Sequence, residues 1–156
     1  MNFCIFSDDR GVNPFLVAAF YNHVTCAQLL VSHNCNMDIQ GYLRVGGVTE
    51  LKRPFNCVLD KQHWDIFKIM ILGGFDISSQ VEFWEKHGLP DCFFENLDMW
   101  AWLKDVLATP PHTLMQLCRR VIRNILGTDI HSKLEQLPLP PAGPIKPYLM
   151  MHDILG

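Results

Sequence analysis

Leu114, Leu117, Cys118, Val121, Ile122 and Ile125 fall at i, i+3, i+4, i+7, i+8 and i+11, so one helix would carry them as a continuous apolar stripe. Arg119, Arg120 and Arg123 lie off that stripe. Pro110 and Pro111 stop an earlier helix from running through, because proline lacks the N–H and restricts the residue before it. Thr113 followed three residues later by Gln116 predicts a capping box at the start, and Gly127 is the natural stop. On periodicity alone this is an ordinary core helix. The residues beyond Gly127 change that reading.

A second, short helix is expected over Ile130–Gln136, with Ile130, Leu134 and Leu137 on one side. Then comes Leu137-Pro-Leu-Pro-Pro-Ala-Gly-Pro-Ile-Lys-Pro147, whose five prolines predict a stiff, extended path that joins neither a helix nor a central strand. A segment of this kind loses little entropy when it docks. It also carries Leu137, Leu139, Ile145, Tyr148 and Leu149, which a plain linker does not need.

This order of signals resembles the SOCS box of cullin-RING ubiquitin-ligase adaptors: a capped helix with Leu114-x-x-x-Cys118-x-x-x-Ile122, then Leu137-Pro138-Leu139-Pro140, then Tyr148-Leu149. The resemblance implies that the first helix, the BC box, docks on elongin C of the elongin B/C dimer through Thr113, Leu114, Leu117, Cys118, Val121 and Ile122. It implies that a cullin box of Leu137, Pro138, Leu139, Pro140, Tyr148 and Leu149 selects cullin-5 with its RING-box subunit. Seven residues, Pro141 to Pro147, separate the two parts of that cullin box. This exceeds the family's usual spacing and singles out Gly143-Pro144 as an insertion.

The preceding part contains an internal repeat. Asn13-Pro-Phe-Leu-Val-Ala-Ala-Phe-Tyr-Asn-His23 and Arg53-Pro-Phe-Asn-Cys-Val-Leu-Asp-Lys-Gln-His63 match at Pro14/Pro54, Phe15/Phe55 and His23/His63, forty residues apart. Each histidine is followed by a second helical stretch, Thr25–Asn34 and Asp65–Gly74, closed by residues suited to a left-handed cap. The pattern resembles the ankyrin repeat, whose period is roughly 33 residues. The extra length falls on Ile39–Arg53, expected to be a loop insertion. About three such units are usually needed for stability, so an end cap is required. Val81–Leu107, rich in Phe, Trp and Leu, supplies a degenerate third unit, with a helix over Asn96–Ala108 apolar nearly all round and buried on more than one side. With only Met1 to Asp8 ahead of the first unit, the chain reads as a shortened form of a longer repeat protein.

Composition adds exclusions. At 49% apolar and 19% charged residues the 156-residue chain is globular, with room for one unit or two small ones. A net charge of −3 makes nucleic acid a poor partner. Charge is uneven, with five Lys/Arg against three Asp/Glu from Thr113 onward, so the mildly acidic earlier part suits a basic target surface. No apolar run of membrane-spanning length and no signal peptide are seen, and a cytoplasmic or nuclear location is expected. The six cysteines include no Cys-x-x-Cys pair and read as reduced, buried thiols, with neither zinc nor cofactor. His23 and His63 read as structural, and no phosphate loop, nucleophile elbow or His-Glu-x-x-His helix offers catalysis.

The expectation is an all-α protein. Ankyrin repeats fill 1–80, with clear units at 9–38 and about 49–78, and a degenerate capping repeat fills 81–108. A three-helix SOCS box fills 110–155, with its BC box at 113–126 and its cullin box at 137–149. By this reading the chain is a non-catalytic substrate-recognition adaptor of an elongin B/C–cullin-5–RING ligase. The alternative is an ankyrin scaffold that binds a protein partner without ubiquitination.

Overall fold

In the computed structural model, described residues are 13–108, 114–127, 129–140 and 142–155, the side chains of 114–116, 154 and 155 excepted. They begin with α1 (Pro14–Tyr21) and α2 (Val24–Ser32), then a hairpin of β1 (Gly41–Val45) and β2 (Val48–Lys52), then α3 (Pro54–Asp60) and α4 (Trp64–Leu72). Pro14 and Pro54 each open a helix at its first position, where a missing N–H is harmless. Helix α1 packs on α3 and α2 on α4, so two helical hairpins stand side by side.

The forty-residue repeat extends to the backbone. Asn22 and Gln62 both adopt left-handed conformation, with φ of 59° and 55°, and so do Asn34 and Gly74. His23 and His63 cap the second helices with nearly the same dihedrals, and their N–H groups bond Ala18 O and Val58 O at 2.9 Å in each case. After each second helix an acceptor side chain closes a small turn: Asn36 Oδ1 takes Asp38 N–H at 2.9 Å, and Asp76 Oδ1 takes Ser78 N–H at 3.0 Å. That bond holds the Asp76 carboxyl below its ordinary pKa.

The inserted segment corrects the expectation of a helical protein with a loop. Residues 41–52 form an antiparallel hairpin in register Tyr42↔Leu51 and Val45↔Val48, closed by Gly46 and Gly47. Both glycines have positive φ, the mirror-image turn that matches strand twist and that two glycines supply without strain. Leu43 anchors this hairpin against Leu16, Phe20 and Cys57.

A third helical group comes next, α5 (Ser78–His87), α6 (Asp91–Glu95) and α7 (Leu97–Ala108). Phe93, Trp84, Met99 and Leu103 enter the main core with Phe55, Phe67 and Ile66, and Phe93 meets Trp84 and Trp100 with ring centroids 5.4 Å apart in both pairs. Helix α7 is not buried on several sides as its composition suggests. Met99 and Leu103 face inward while Leu97 and Leu107 are exposed, because the helix lies on the edge of the core. The remaining elements are α8 (Leu114–Leu126), α9 (Ile130–Gln136), α10 (Ile145–Leu149) and the single turn α11 (His152–Leu155). Their small core joins Ile130, Leu134, Leu149 and Met150, with Ile122, Leu126 and Leu139 against it.

Candidate partner-docking surface

Helix α8 sits with its polar face inward. Arg119 and Arg123 are 6% and 5% exposed, whereas Val121 and Ile125 on the apolar stripe are 56% and 78% exposed. Leu117 and Cys118 are exposed too, and Ile122 alone of the described stripe residues named for partner binding is half buried, at the edge of the small core. Thr113 lies outside the described residues, as does the side chain of Leu114, and the capping box falls there with them.

Carbonyls left over at helix ends hold the arginines. The last residues of a helix have C=O groups with no intrahelical partner and carry the negative end of its dipole. Arg123 donates to Val31 O at 2.8 Å and Ser32 O at 3.4 Å at the end of α2, and to Leu149 O at 2.5 Å at the end of α10. Burial, with the Arg119 charge beside it, pulls the Arg123 guanidinium down to about 10, so it remains cationic at neutral pH. Asn34 returns the contact, its side-chain amide donating to Arg123 O at 2.8 Å and Gly127 O at 2.7 Å. Two helix ends thus cap each other across 89 and 93 residues of sequence.

Arg119 fixes the C-terminal turns. It donates to both Asp153 carboxylate oxygens, at 2.7 and 2.9 Å, and lies over the Tyr148 ring at 4.2 Å. It also donates to Tyr148 O at 3.3 Å. These inward roles for Arg119, Arg123, Asn34 and Asp153 escape a reading of apolar periodicity. The i, i+4 spacing of the two arginines is the trace they leave in the sequence.

The proline segment is less extended than its composition implies. Leu139 N–H bonds Leu137 O at 2.7 Å, a tight turn around Pro138, and Gly143 N–H bonds Pro140 O at 3.3 Å. Leu137 is therefore exposed, while Leu139 turns inward against the small core. Pro138 and Pro140 are exposed. Pro147 does enter a helix, contrary to expectation, because it occupies the first turn of α10, where its missing N–H leaves no bond broken. Leu149 is buried and Tyr148 half buried, its hydroxyl enclosed without a hydrogen-bond partner among the described residues.

The thiols also depart from a uniformly buried set. Cys26 and Cys118 are exposed, Cys35 and Cys92 intermediate, and Cys57 buried, with burial pushing its thiol pKa up. Among the described residues no group of three His, Cys, Asp or Glu side chains is placed to hold a metal ion, and no helix is long and apolar enough to cross a membrane.

The helix thus turns two arginines inward and leaves an exposed apolar stripe, in the same segment as an exposed Leu-Pro corner. Residues 110–149 match the SOCS box family model. No curated protein and no solved structure matches the chain. The SOCS box is the elongin B/C and cullin binding module of ubiquitin-ligase adaptors, which are generally non-catalytic subunits. The matched residues run from just before α8 to the end of α10, so they include the outward stripe and the Leu137–Pro140 corner.

Proposed function

We propose that this chain is the substrate-recognition adaptor of an elongin B/C–cullin-5–RING ubiquitin ligase, with the helical hairpins acting as an ankyrin-type target-binding part. The observation that carries the reading is the inverted burial of α8. Leu117, Cys118, Val121 and Ile125 have water where a core helix would have neighbours. In this reading α8 lays that stripe into an elongin C groove, and Leu137 with Pro138 and Pro140 meets the cullin. Leu139, Tyr148 and Leu149 act from behind by holding the corner in place. Catalysis stays with the RING subunit and its conjugating enzyme. The adaptor raises the effective concentration of a target lysine near the reactive thioester.

Affinity purification of the intact chain and of a Val121→Asp variant, from cells in which proteasomal degradation is blocked, tests this proposal. The intact chain should retain elongin B, elongin C and cullin-5, and the variant should lose all three while remaining folded. Equal recovery on both chains would return α8 to the status of an ordinary surface helix.

A further inference from the structure

Helix α7 lies at the edge of the core, so part of its apolar surface stays exposed. Leu97, its first residue, is 61% exposed, and Phe94, in the short helix just before it, is 62% exposed. Ala101 and Ala108 continue the line at i+4 and i+11 from Leu97 and are exposed as well. Lys104 stands in the same line, but its amine pairs with Glu85 of α5 and lies 5.8 Å from the centroid of the Trp100 ring, which draws it aside. Asp98 and Asp105 run alongside, and Asp91 and Glu95 flank Phe94.

Charge indicates what covers this face. Residues 78–108 carry six Asp/Glu against two Lys. Both lysines are paired within the group, Lys86 with Glu82 at 2.7 Å and Lys104 with Glu85, while Asp91 and Asp98 have no ion-pair partner among the described residues. A second copy of the chain would set carboxylates against carboxylates, which opposes self-association here. We propose that Phe94, Leu97 and Ala101, with Asp91, Glu95 and Asp98 around them, form a target-docking face whose occupant is a basic amphipathic helix of the target protein. The inference rests on the adaptor reading above and names its target class. Leucines of such a helix cover Phe94 and Leu97, the small Ala101 lets the two backbones approach, and Lys or Arg at the edges meets the unpaired carboxylates.

Fluorescence anisotropy of the full chain with a designed probe tests this. The probe is a peptide of about 18 residues, five helical turns, with leucines on one face and lysines on the other, compared with the same peptide carrying glutamates for lysines. The lysine peptide should bind, with an affinity that falls as salt rises from about 0.01 to 0.1 M and the screening length shortens from about 30 to 10 Å. The glutamate peptide should bind at least about tenfold more weakly. Phe94→Ser/Leu97→Ser should weaken binding of the lysine peptide at least about tenfold and leave the melting midpoint unchanged, because both side chains are exposed. Asp91→Asn/Asp98→Asn should weaken it and flatten the salt dependence. Leu117→Asp/Val121→Asp and saturating elongin B/C should both leave peptide binding unchanged, so a chain that fails to bind elongin still reads out this face. No binding of the lysine peptide, equal binding of the two peptides, loss on the α8 variant, or a lower melting midpoint in Phe94→Ser/Leu97→Ser would overturn the proposal. So would self-association of the natural chain that Phe94→Ser/Leu97→Ser relieves, since the occupant would then be a second copy.

Discussion

Arg123 ties α8 to the ends of two other helices. A buried guanidinium is tolerable only when its donors are satisfied, and here it bonds the carbonyl ends of two other helices. Arg123→Met keeps the volume and removes the donors, leaving Val31 O and Leu149 O short of partners. A loss of about 2–3 kcal/mol is expected, read as a lower midpoint in urea unfolding. Val121→Asp and Ile125→Glu, on the outward side of the helix away from those contacts, should shift stability by no more than about 0.5 kcal/mol. The sequence discloses half of this contrast. The apolar stripe is visible from spacing, but which side of an amphipathic helix faces the rest of the chain depends on partners that spacing does not name.

At the scale of elements, α10 and the corner before it separate two kinds of leucine. Leu137 is exposed and Leu139 packs against the small core of Ile130, Leu134, Leu149 and Met150. In the proposed complex, Leu137→Ala should weaken cullin-5 capture by the chain bound to elongin B/C and leave the chain's melting temperature unchanged. Leu139→Ala should lower the melting temperature, because removing a partly buried leucine costs about 1–3 kcal/mol. Capture assays paired with thermal melts distinguish the two, and matching effects on both would mean that the corner does not divide its labour this way. The prolines announce this corner plainly, yet the inward turn of Leu139 rests on one short-range hydrogen bond that composition does not specify. The β1–β2 hairpin was equally legible, since Gly46-Gly47 between alternating residues is a turn signal. Reading the surrounding repeat as purely helical hides it.

For the molecule as a whole, the seam between the first hairpin and the C-terminal elements is the feature no local pattern reveals. Besides Arg123 and Asn34 it holds His33 and His131, with ring centroids 4.0 Å apart. Burial lowers the His131 pKa, as do the nearby His33 and His152, against the opposing pull of Glu135 and Asp129. A histidine whose folded pKa lies below its unfolded value takes up its proton later in the native state. Its contribution is complete above the unfolded value and is lost as pH falls through the folded one. Thermal midpoints should therefore drop as pH falls below about 6.5, the ordinary histidine value, and His131→Asn should reduce that drop. An unchanged pH dependence in the variant would place the sensitivity elsewhere. The repeat itself, by contrast, was fully visible at Pro14/Pro54 and His23/His63, because a forty-residue identity of caps and turns needs no long-range information.

The central claim is that α8 faces outward to receive elongin C, and calorimetric titration of purified elongin B/C into the full chain and into a Leu117→Asp/Val121→Asp variant tests it most directly. Two aspartates in a buried apolar contact remove its hydrophobic contribution and add desolvation, so the account predicts a measurable complex with the natural chain and a Kd at least about 100-fold weaker with the variant. The variant's unfolding midpoint should match that of the natural chain. Equal affinities would show that the stripe is not the elongin contact, and a variant that no longer folds would show that the stripe belongs to the protein's own core; either result would contradict the account.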